Sequence, residues 1–156
     1  MSTHELRRNQ WVPHPIDRVF SFFATPENLE DLTPSFLRFR ITRAPRKMEP
    51  GARIDYKLRI HGLPVRWRTI IEEWDPPHQF VDVQAKGPYK LWHHTHRFSS
   101  QNGGTAIEDI VHYQLPFGWL GAAAHRLVVS RDVDEIFEYR QKRIRELFPD
   151  LRTTLS

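Results

Sequence analysis

The chain of 156 residues has the length of one domain, and its 39% hydrophobic and 27% charged residues are typical of a globular protein. The absence of cysteine excludes disulfides, thiol nucleophiles and thiolate metal sites, and it favours a cytoplasmic location. No stretch approaches the ~20 apolar residues that span a bilayer, so we expect no stable membrane insertion. The net charge of +4 does not indicate nucleic-acid binding, because the basic residues are interleaved with acidic ones and form no known motif.

The chain begins with a predicted strand and two short helices. Glu5–Val12 is the strand, which ends at Pro13. Pro15 suits the first turn of a helix, where its missing N–H costs nothing, and apolar residues follow it at helical spacing. Thr25 and Pro26 start the second helix as its N-cap and first residue.

The region from Phe36 to Leu115 has a hydrophobic period of two, which is typical of strands. Glu49-Pro50-Gly51 has the sequence of a type II turn, and Asn102-Gly103 is the strongest short signal for a hairpin. Turns spaced this closely leave no room for crossover helices, so the six strands form an antiparallel meander. The last four of these strands are Val65–Trp74, Phe80–Ala85, Tyr89–Ser99 and Thr105–Leu115.

The segment Trp119–Phe148 predicts a long amphipathic helix that Pro149 stops. The apolar residues of its first part centre roughly 140° away from those of its second part. The segment therefore kinks near Val128–Arg131, or its first turns pack elsewhere, as a loop over a cavity or as a separate short helix. Arg140 lies within the apolar stripe, where it either reaches the edge of the core or meets a buried carboxylate.

A single antiparallel sheet must cover its apolar face, and the C-terminal helix is the obvious cover. If the sheet curls around that helix, a cavity remains between them. The interpretation is one domain over residues 1–156, with two short helices after the first strand, a seven-stranded sheet and one long helix.

This order of elements resembles the helix-grip fold of the START-like, or SRPBCC, superfamily over the whole chain. Several short runs are more specifically similar to its bacterial polyketide cyclase/dehydrase-like, ligand-binding branch. These runs are Trp74-Asp75-Pro76-Pro77, Phe80–Gln84, Gly87-Pro88-Tyr89, Trp92–Phe98, Gly103-Gly104-Thr105, Tyr113–Gly118 and Ile136–Arg140. The resemblance implies an α+β fold in which a curved antiparallel sheet of seven strands wraps around the C-terminal helix. It also implies a small hydrophobic ligand, such as a lipid, polyketide or quinone, and it supplies no catalytic residues. We expect no cofactor.

The strand Tyr89–Ser99 carries the richest set of candidate site residues. Alternation places four side chains on one face, Trp92, His94, His96 and Phe98. The aromatic residues favour that face as the inner one, and on the hairpin partner Asp109 and Tyr113 share the inner face. A carboxylate beside an imidazole fixes its tautomer and allows proton exchange near neutral pH. Two interpretations stay open: a polar spot that orients a ligand or transfers a proton, and a buried network that only stabilises the sheet.

Other polar residues are weaker candidates. His94 and His96 could bind zinc with Asp109 or Glu73 as third ligand, but two histidines and a carboxylate are a weak signal, and we expect no metal. Glu73 shares a face with Trp67; if that face is inner, its carboxylate needs a partner, for which Arg140 is a candidate. The inward parity of the strand with Asp82 and Gln84, two further pocket candidates, is left open.

The leading hypothesis is a carrier or sensor of a small hydrophobic molecule, with the segment Pro116–Ala124 as the movable mouth of its cavity. The alternatives are a cyclase or dehydratase, with His94 or His96 as general acid/base and Asp109 orienting it, and a protein-interaction module. Whether the protein is an enzyme is left open, as is its oligomeric state. The expected ligand-binding residues are Trp67, Glu73, Trp92, His94, His96, Phe98, Asp109, Tyr113 and Arg140.

Overall fold

The structure, a computed structural model, describes residues 3–124 and 128–150. Its strands form one antiparallel sheet in the order β1-β7-β6-β5-β4-β3-β2, which confirms the predicted meander. The strands are β1 (His4–Val12), β2 (Arg40–Arg43), β3 (Arg53–Ile60), β4 (Leu63–Asp75), β5 (Gln79–Lys86), β6 (Leu91–Gln101) and β7 (Gly104–Gln114). The helices are α1 (Ile16–Phe23), α2 (Gly118–Ala124) and α3 (Ser130–Leu147). The sheet curves around α3, so the α+β helix-grip fold is confirmed.

The turns between strands contain the residues that their backbone requires. Asn102 and Gly103, at φ of 50° and 76°, join β6 to β7 in the left-handed conformation of a tight hairpin turn. His61 and Gly62, at 50° and 78°, join β3 to β4 in the same way. These two turns set the registers in which inward-facing side chains meet across the sheet.

The region after α1 differs from the prediction in detail. The second short helix is a 3₁₀ helix, Pro26–Leu29, and the Thr25 hydroxyl donates back to the Ser21 carbonyl at 3.0 Å instead of capping it. The strand predicted from Phe36 begins only at Arg40, because a 3₁₀ turn follows Pro34. Proline fixes the backbone ahead of that turn and delays the start of the strand.

The C-terminal segment is divided into two helices, α2 and α3, as the different directions of its two apolar stripes predict. In α3 the buried stripe includes Val133, Phe137 and Ile144, which face the sheet. In α2 Leu120 is 55% exposed, and Ala123 and Ala124 are also exposed, so these three residues of the first stripe are not buried against the sheet. Val128 and Val129 form a wider helical turn at the start of α3, and residues 125–127 of the predicted helix lie outside the described ranges. Within residues 3–124 and 128–150, no helix is long and apolar enough to cross a membrane.

A core of ten buried hydrophobic residues lies where α1 and the end of α3 meet β6 and β7, and we call this region the packed end. The ring of Phe20 meets that of Phe98 edge to face, with centroids 5.3 Å apart. Burial of these side chains removes apolar surface from water, which is the main source of stability. The buried residues of the packed end are Val12, Val19, Phe20, Phe23, Leu32, Phe80, Phe98, Ile107, Ile144 and Phe148.

Candidate functional site

A cavity of about 670 Å³ lies between the first half of α3 and the concave face of β3, β4, β5 and β6. The inward positions of β3 follow the predicted alternation, because Ile54, Tyr56 and Leu58 all line the cavity. Val133 and Phe137 of α3 close the opposite side. The size is within the range of small-molecule sites, roughly 300–1,000 Å³.

The wall at one end of the cavity is aromatic. Trp67 stacks on Tyr56, with centroids 5.9 Å apart, and meets Trp92 edge to face at 5.5 Å. The hydroxyl of Tyr56 shares a hydrogen bond with Thr69 at 3.3 Å. Burial is the main cause that raises the pKa of Tyr56, so its hydroxyl stays protonated at neutral pH. This wall therefore offers apolar and neutral contacts.

The other end of the cavity carries a polar cluster, which consists of Asp82, His94, His96, Asp109 and Arg140. His94 Nε2 lies 2.8 Å from Asp109 Oδ1, and His96 Nε2 lies 2.5 Å from Asp82 Oδ2. The two imidazole rings stack with centroids 3.6 Å apart. Arg140 Nη2 lies 3.4 Å from both Asp109 Oδ1 and His96 Nδ1, so Arg140 meets a buried carboxylate. The cluster is a continuous hydrogen-bonded network across three strands and α3.

The sheet register places the members of the cluster diagonally across neighbouring strands. Asp82 is opposite His94, and His96 is opposite Asp109. Each imidazole instead bonds the carboxylate of the diagonal position, a distance that long side chains can bridge. The His-x-His spacing on β6 is what places both rings on the same face.

The cluster keeps its carboxylates ionised. Burial opposes ionisation of both acids, but the hydrogen bond from His96, the charges that His94 and His96 carry when protonated, and the charge of Arg140 hold the pKa of Asp82 below its usual value. The charge of Arg140 and the hydrogen bond from His94 likewise lower the pKa of Asp109. Burial, with a smaller contribution from His94, lowers the pKa of His96 to about 4, so His96 is neutral near pH 7.

These charge states assign the hydrogens of the network. Because a carboxylate only accepts, Nε2 of each imidazole donates to its aspartate. Nδ1 of the neutral His96 ring then accepts from Arg140. In a neutral His94 ring, Nδ1 is likewise an acceptor, and it lies 3.8 Å from Asp82 Oδ2.

A metal ion would find its ligand atoms on Asp82, His94 and His96, whose candidate ligand atoms lie within 4.8 Å of one another. The two imidazoles are stacked with only 26° between their planes. Nearly parallel rings point their nitrogen lone pairs side by side rather than at one ion, so binding would require one ring to rotate. The arrangement as it stands fits a hydrogen-bonded network better than a metal site.

Five of the nine expected ligand-binding residues line the cavity: Trp67, Trp92, His94, His96 and Arg140. Asp109 is buried behind the imidazoles, where it orients His94. Tyr113 packs behind Trp92, with ring centroids 5.9 Å apart, and Phe98 belongs to the packed end. These last three residues support the site without lining it.

The expectation for Glu73 needs correction. Its side chain is exposed and accepts a hydrogen bond from Gln79 Nε2 at 2.9 Å, so it neither pairs with Arg140 nor lines the cavity. The register between β4 and β5 shifts between Ile71 and Glu73, which inverts the alternation. Trp74 consequently packs inward against Phe20, with centroids 5.3 Å apart.

The parity of β5, open from the sequence, is settled by Asp82, which lines the cavity with Phe80. Gln84 does not line it, because its amide bonds the backbone of Tyr89. The signal that would have selected Asp82 is its position opposite His94, which requires the register of the two strands.

The rim of the cavity is tied by a contact between the β3–β4 turn and α3. His61 Nε2 lies 2.7 Å from Asp132 Oδ2, and both residues line the cavity. Leu115 and Val129, which flank the predicted mouth Pro116–Ala124 and α2, also line it. The contact joins two elements that would have to separate if the rim opened.

Comparison with known proteins agrees with this architecture. Residues 12–139 match the family model described as polyketide cyclase/dehydrase and lipid transport. No curated protein matches the sequence significantly. Among solved structures, the chain is similar to protein Ms6760 from Mycobacterium smegmatis (21% identity, 96% of this chain and 92% of that chain, TM-score 0.67).

Two further structures show the same fold. Protein CV1439 from Chromobacterium violaceum shares 14% identity over 94% of this chain and 99% of its own, with a TM-score of 0.73. Major latex-like protein 151 from Panax ginseng shares 11% identity over 95% of this chain and 99% of its own, with a TM-score of 0.70. The family match covers most of the sequence, and the chain belongs to the polyketide cyclase/dehydrase and lipid transport family.

Proposed function

We propose that the protein binds and carries one small hydrophobic molecule in the cavity between the sheet and α3. The observation that carries this proposal is the cavity itself, about 670 Å³ in volume, with aromatic walls and the polar cluster at one end. An apolar wall with a few convergent polar groups is the usual composition of a small-molecule site. The membership of a family described by lipid transport supports the same function.

A second candidate function is catalysis in the same cavity, and the specific observation that favours it is the pair of carboxylate-bound imidazoles at the cavity wall. An imidazole held by Asp82 or Asp109 has a fixed tautomer and could accept a proton from a bound molecule. His94 is the better placed of the two to act as a base, because Nδ1 of His96 already accepts from Arg140. If catalysis occurs, His94→Gln or His96→Gln abolishes turnover and leaves ligand affinity largely intact.

A protein-interaction module with a filled interior receives less support. Side chains that filled the space between β3 and α3 would leave no volume for a ligand, whereas the cavity is open. A carrier needs that volume and an interaction module does not.

Native mass spectrometry of the freshly purified protein, followed by solvent extraction, tests the proposal. We expect a reproducible mass adduct that disappears on denaturation, and an extracted molecule that rebinds the emptied protein. Incubating the extracted molecule with the protein then separates the two candidate functions, because only the enzyme converts it. A protein with no adduct that also takes up no Nile red, a neutral apolar dye, would contradict the proposal.

A further inference from the structure

We infer that the molecule carried in the cavity has a polar end that donates hydrogen bonds, such as a hydroxyl, a phenol or a protonated amine. The cavity rejects molecules that end in a carboxylate or phosphate. This inference rests on the proposed function, because it names the chemical class of the ligand for the same site.

Asp82 is the member of the polar cluster most open to the cavity. Its side chain is 17% exposed, against 8% for His94 and 5% for His96. Its Oδ2 accepts from His96, and Oδ1 has no hydrogen-bond partner among residues 3–124 and 128–150. Since the low pKa of Asp82 keeps it ionised, the group that meets a ligand is an acceptor with a negative charge.

His94 adds a second acceptor beside it. Because Nε2 of His94 donates its hydrogen to Asp109, an unprotonated His94 ring presents Nδ1 as an acceptor. That atom lies 3.8 Å from Asp82 Oδ2. A protonated amine, with several N–H groups, could donate to both atoms, and a hydroxyl could donate to one.

The positive charge of the cluster lies deeper than Asp82, because the side chain of Arg140 is 8% exposed against 17% for Asp82. Arg140 Nη2 is 3.4 Å from Asp109 Oδ1 and from His96 Nδ1, and its guanidinium lies over the ring of Phe23 at 5.1 Å. A ligand carboxylate would therefore meet Asp82 first. The two negative charges would repel each other, in surroundings where charges are weakly screened, and this repulsion would weaken binding.

Two residues at the rim of the cavity are negatively charged, like Asp82. Asp132 and Glu135 line it, and no lysine lines it among the residues that the structure describes. Within the described part of a chain whose net charge is +4, the residues that line this cavity thus include three carboxylates and one guanidinium, that of Arg140. This distribution favours neutral donors and cations over anions.

The test uses three competitors that share one alkyl chain and differ only at the polar end: decylamine, decanol and decanoic acid. Each displaces Nile red from the full-length protein at pH 7, at concentrations below micelle formation. We expect decylamine and decanol to displace the dye at concentrations at least about tenfold lower than decanoic acid, as a hydrogen bond to a charged group would produce.

Asp82→Asn isolates the responsible residue, because it removes the charge and preserves the shape. We expect the ratio between the displacing concentrations of decanoic acid and decylamine to fall to about threefold or less, with each concentration corrected for the variant's own affinity for Nile red. Asp134→Asn is the matched control. Its carboxylate pairs with Arg8 outside the cavity and is half exposed, so this variant should keep the wild-type ratio.

The outcomes separate the inference from the proposed function. If the protein binds neither Nile red nor any of the three competitors, the proposed function fails and the inference fails with it. If Nile red binds but decanoic acid competes as well as decylamine, the carrier function stands and the inference is wrong. Should Asp82→Asn fail to fold, the ratio measured with the wild-type protein decides between these outcomes.

Discussion

The two ends of the concave face differ in what covers them. At the packed end, α1 and the last turns of α3 supply Phe20, Phe23 and Ile144 to fill the space over β6 and β7. At the other end, which we call the hollow end, the inward side chains of β3 and β4 face the first half of α3 across the cavity. Both ends are built from the same alternation of apolar residues.

This difference shows that the alternation of apolar residues along a strand determines which face is buried. It does not determine whether the space over that face is filled by side chains. Filling requires a second covering element, and α1 packs over only one end of the sheet. The polar cluster lies between the two ends, since Phe80 of the packed end stacks on His96 at 4.0 Å. Phe137 of α3 meets His94 at 5.5 Å from the other side. The cluster therefore forms the floor of the cavity.

The largest expected effect is on stability, and it compares the same substitution at both ends. Ile144→Ala in the packed end should lower the free energy of unfolding by about 4 kcal/mol, because it removes buried methyl groups and leaves a new void. Ile54→Ala should lower it by about 2 kcal/mol or less, since one side of Ile54 already faces a cavity. Urea unfolding measures both values, and equal losses would show that the hollow end is packed.

The next largest effect concerns the polar cluster. Asp109→Asn leaves the guanidinium of Arg140 without its buried carboxylate, and we expect a loss of about 3 kcal/mol in the free energy of unfolding. The control is Asp134→Asn, at an exposed ion pair, which should lose about 1 kcal/mol or less. If the two variants were equally stable by urea unfolding, the cluster would not act as a buried network.

The cluster also predicts a dependence of stability on pH. The folded pKa of His96, about 4, is below its ordinary value of 6.5, so the unfolded chain binds more protons in this interval. Stability is therefore full above pH 6.5 and falls as the pH drops toward 4. The groups that face His96 are Asp82, His94, Asp109 and Arg140, and the lowered pKa values of the two acids extend the loss below pH 4.

Urea midpoints between pH 7.5 and 4.5 measure this dependence. His96→Gln should flatten the slope, whereas His112→Gln, at an exposed histidine bonded to Glu5, should retain it. A wild-type slope that survives in His96→Gln would assign the acid sensitivity to other groups.

The smallest expected effect concerns the rim of the hollow end. His61→Ala removes the contact with Asp132 that joins the β3–β4 turn to α3. Because the histidine is largely exposed, we expect Nile red to dissociate at most about fivefold faster, consistent with a surface ion pair. Stopped-flow fluorescence measures this rate, with His112→Ala as control. An unchanged rate would show that this contact does not limit release.

The packed end and the inner face of β3 could be predicted from the sequence, because turn residues and alternation determine them locally. Asn102-Gly103 alone indicates the β6–β7 hairpin, and the hairpin brings Asp109 beside the histidines. The same reasoning failed at Glu73, where a shift of register between β4 and β5 inverts the face.

The charge of the site was harder to predict than its location. Whether Asp82 or its neighbours face inward depends on the register between β5 and β6, which the sequence of either strand does not contain. The partner of Arg140 likewise depends on where α3 crosses the sheet. Asp109 and His96 are 31 and 44 residues away in sequence, so no local pattern links them to Arg140.

The most direct test of the central claim is Nile red binding to two variants with the same substitution, Leu58→Trp and Leu63→Trp. Leu58 lines the cavity, whereas Leu63 lies in the adjoining strand with 69% exposure. We expect Leu58→Trp to fill the cavity and weaken binding at least about tenfold, and Leu63→Trp to bind like the wild type. Equal binding by the two variants, with both folded by circular dichroism, would contradict a ligand site between the sheet and α3.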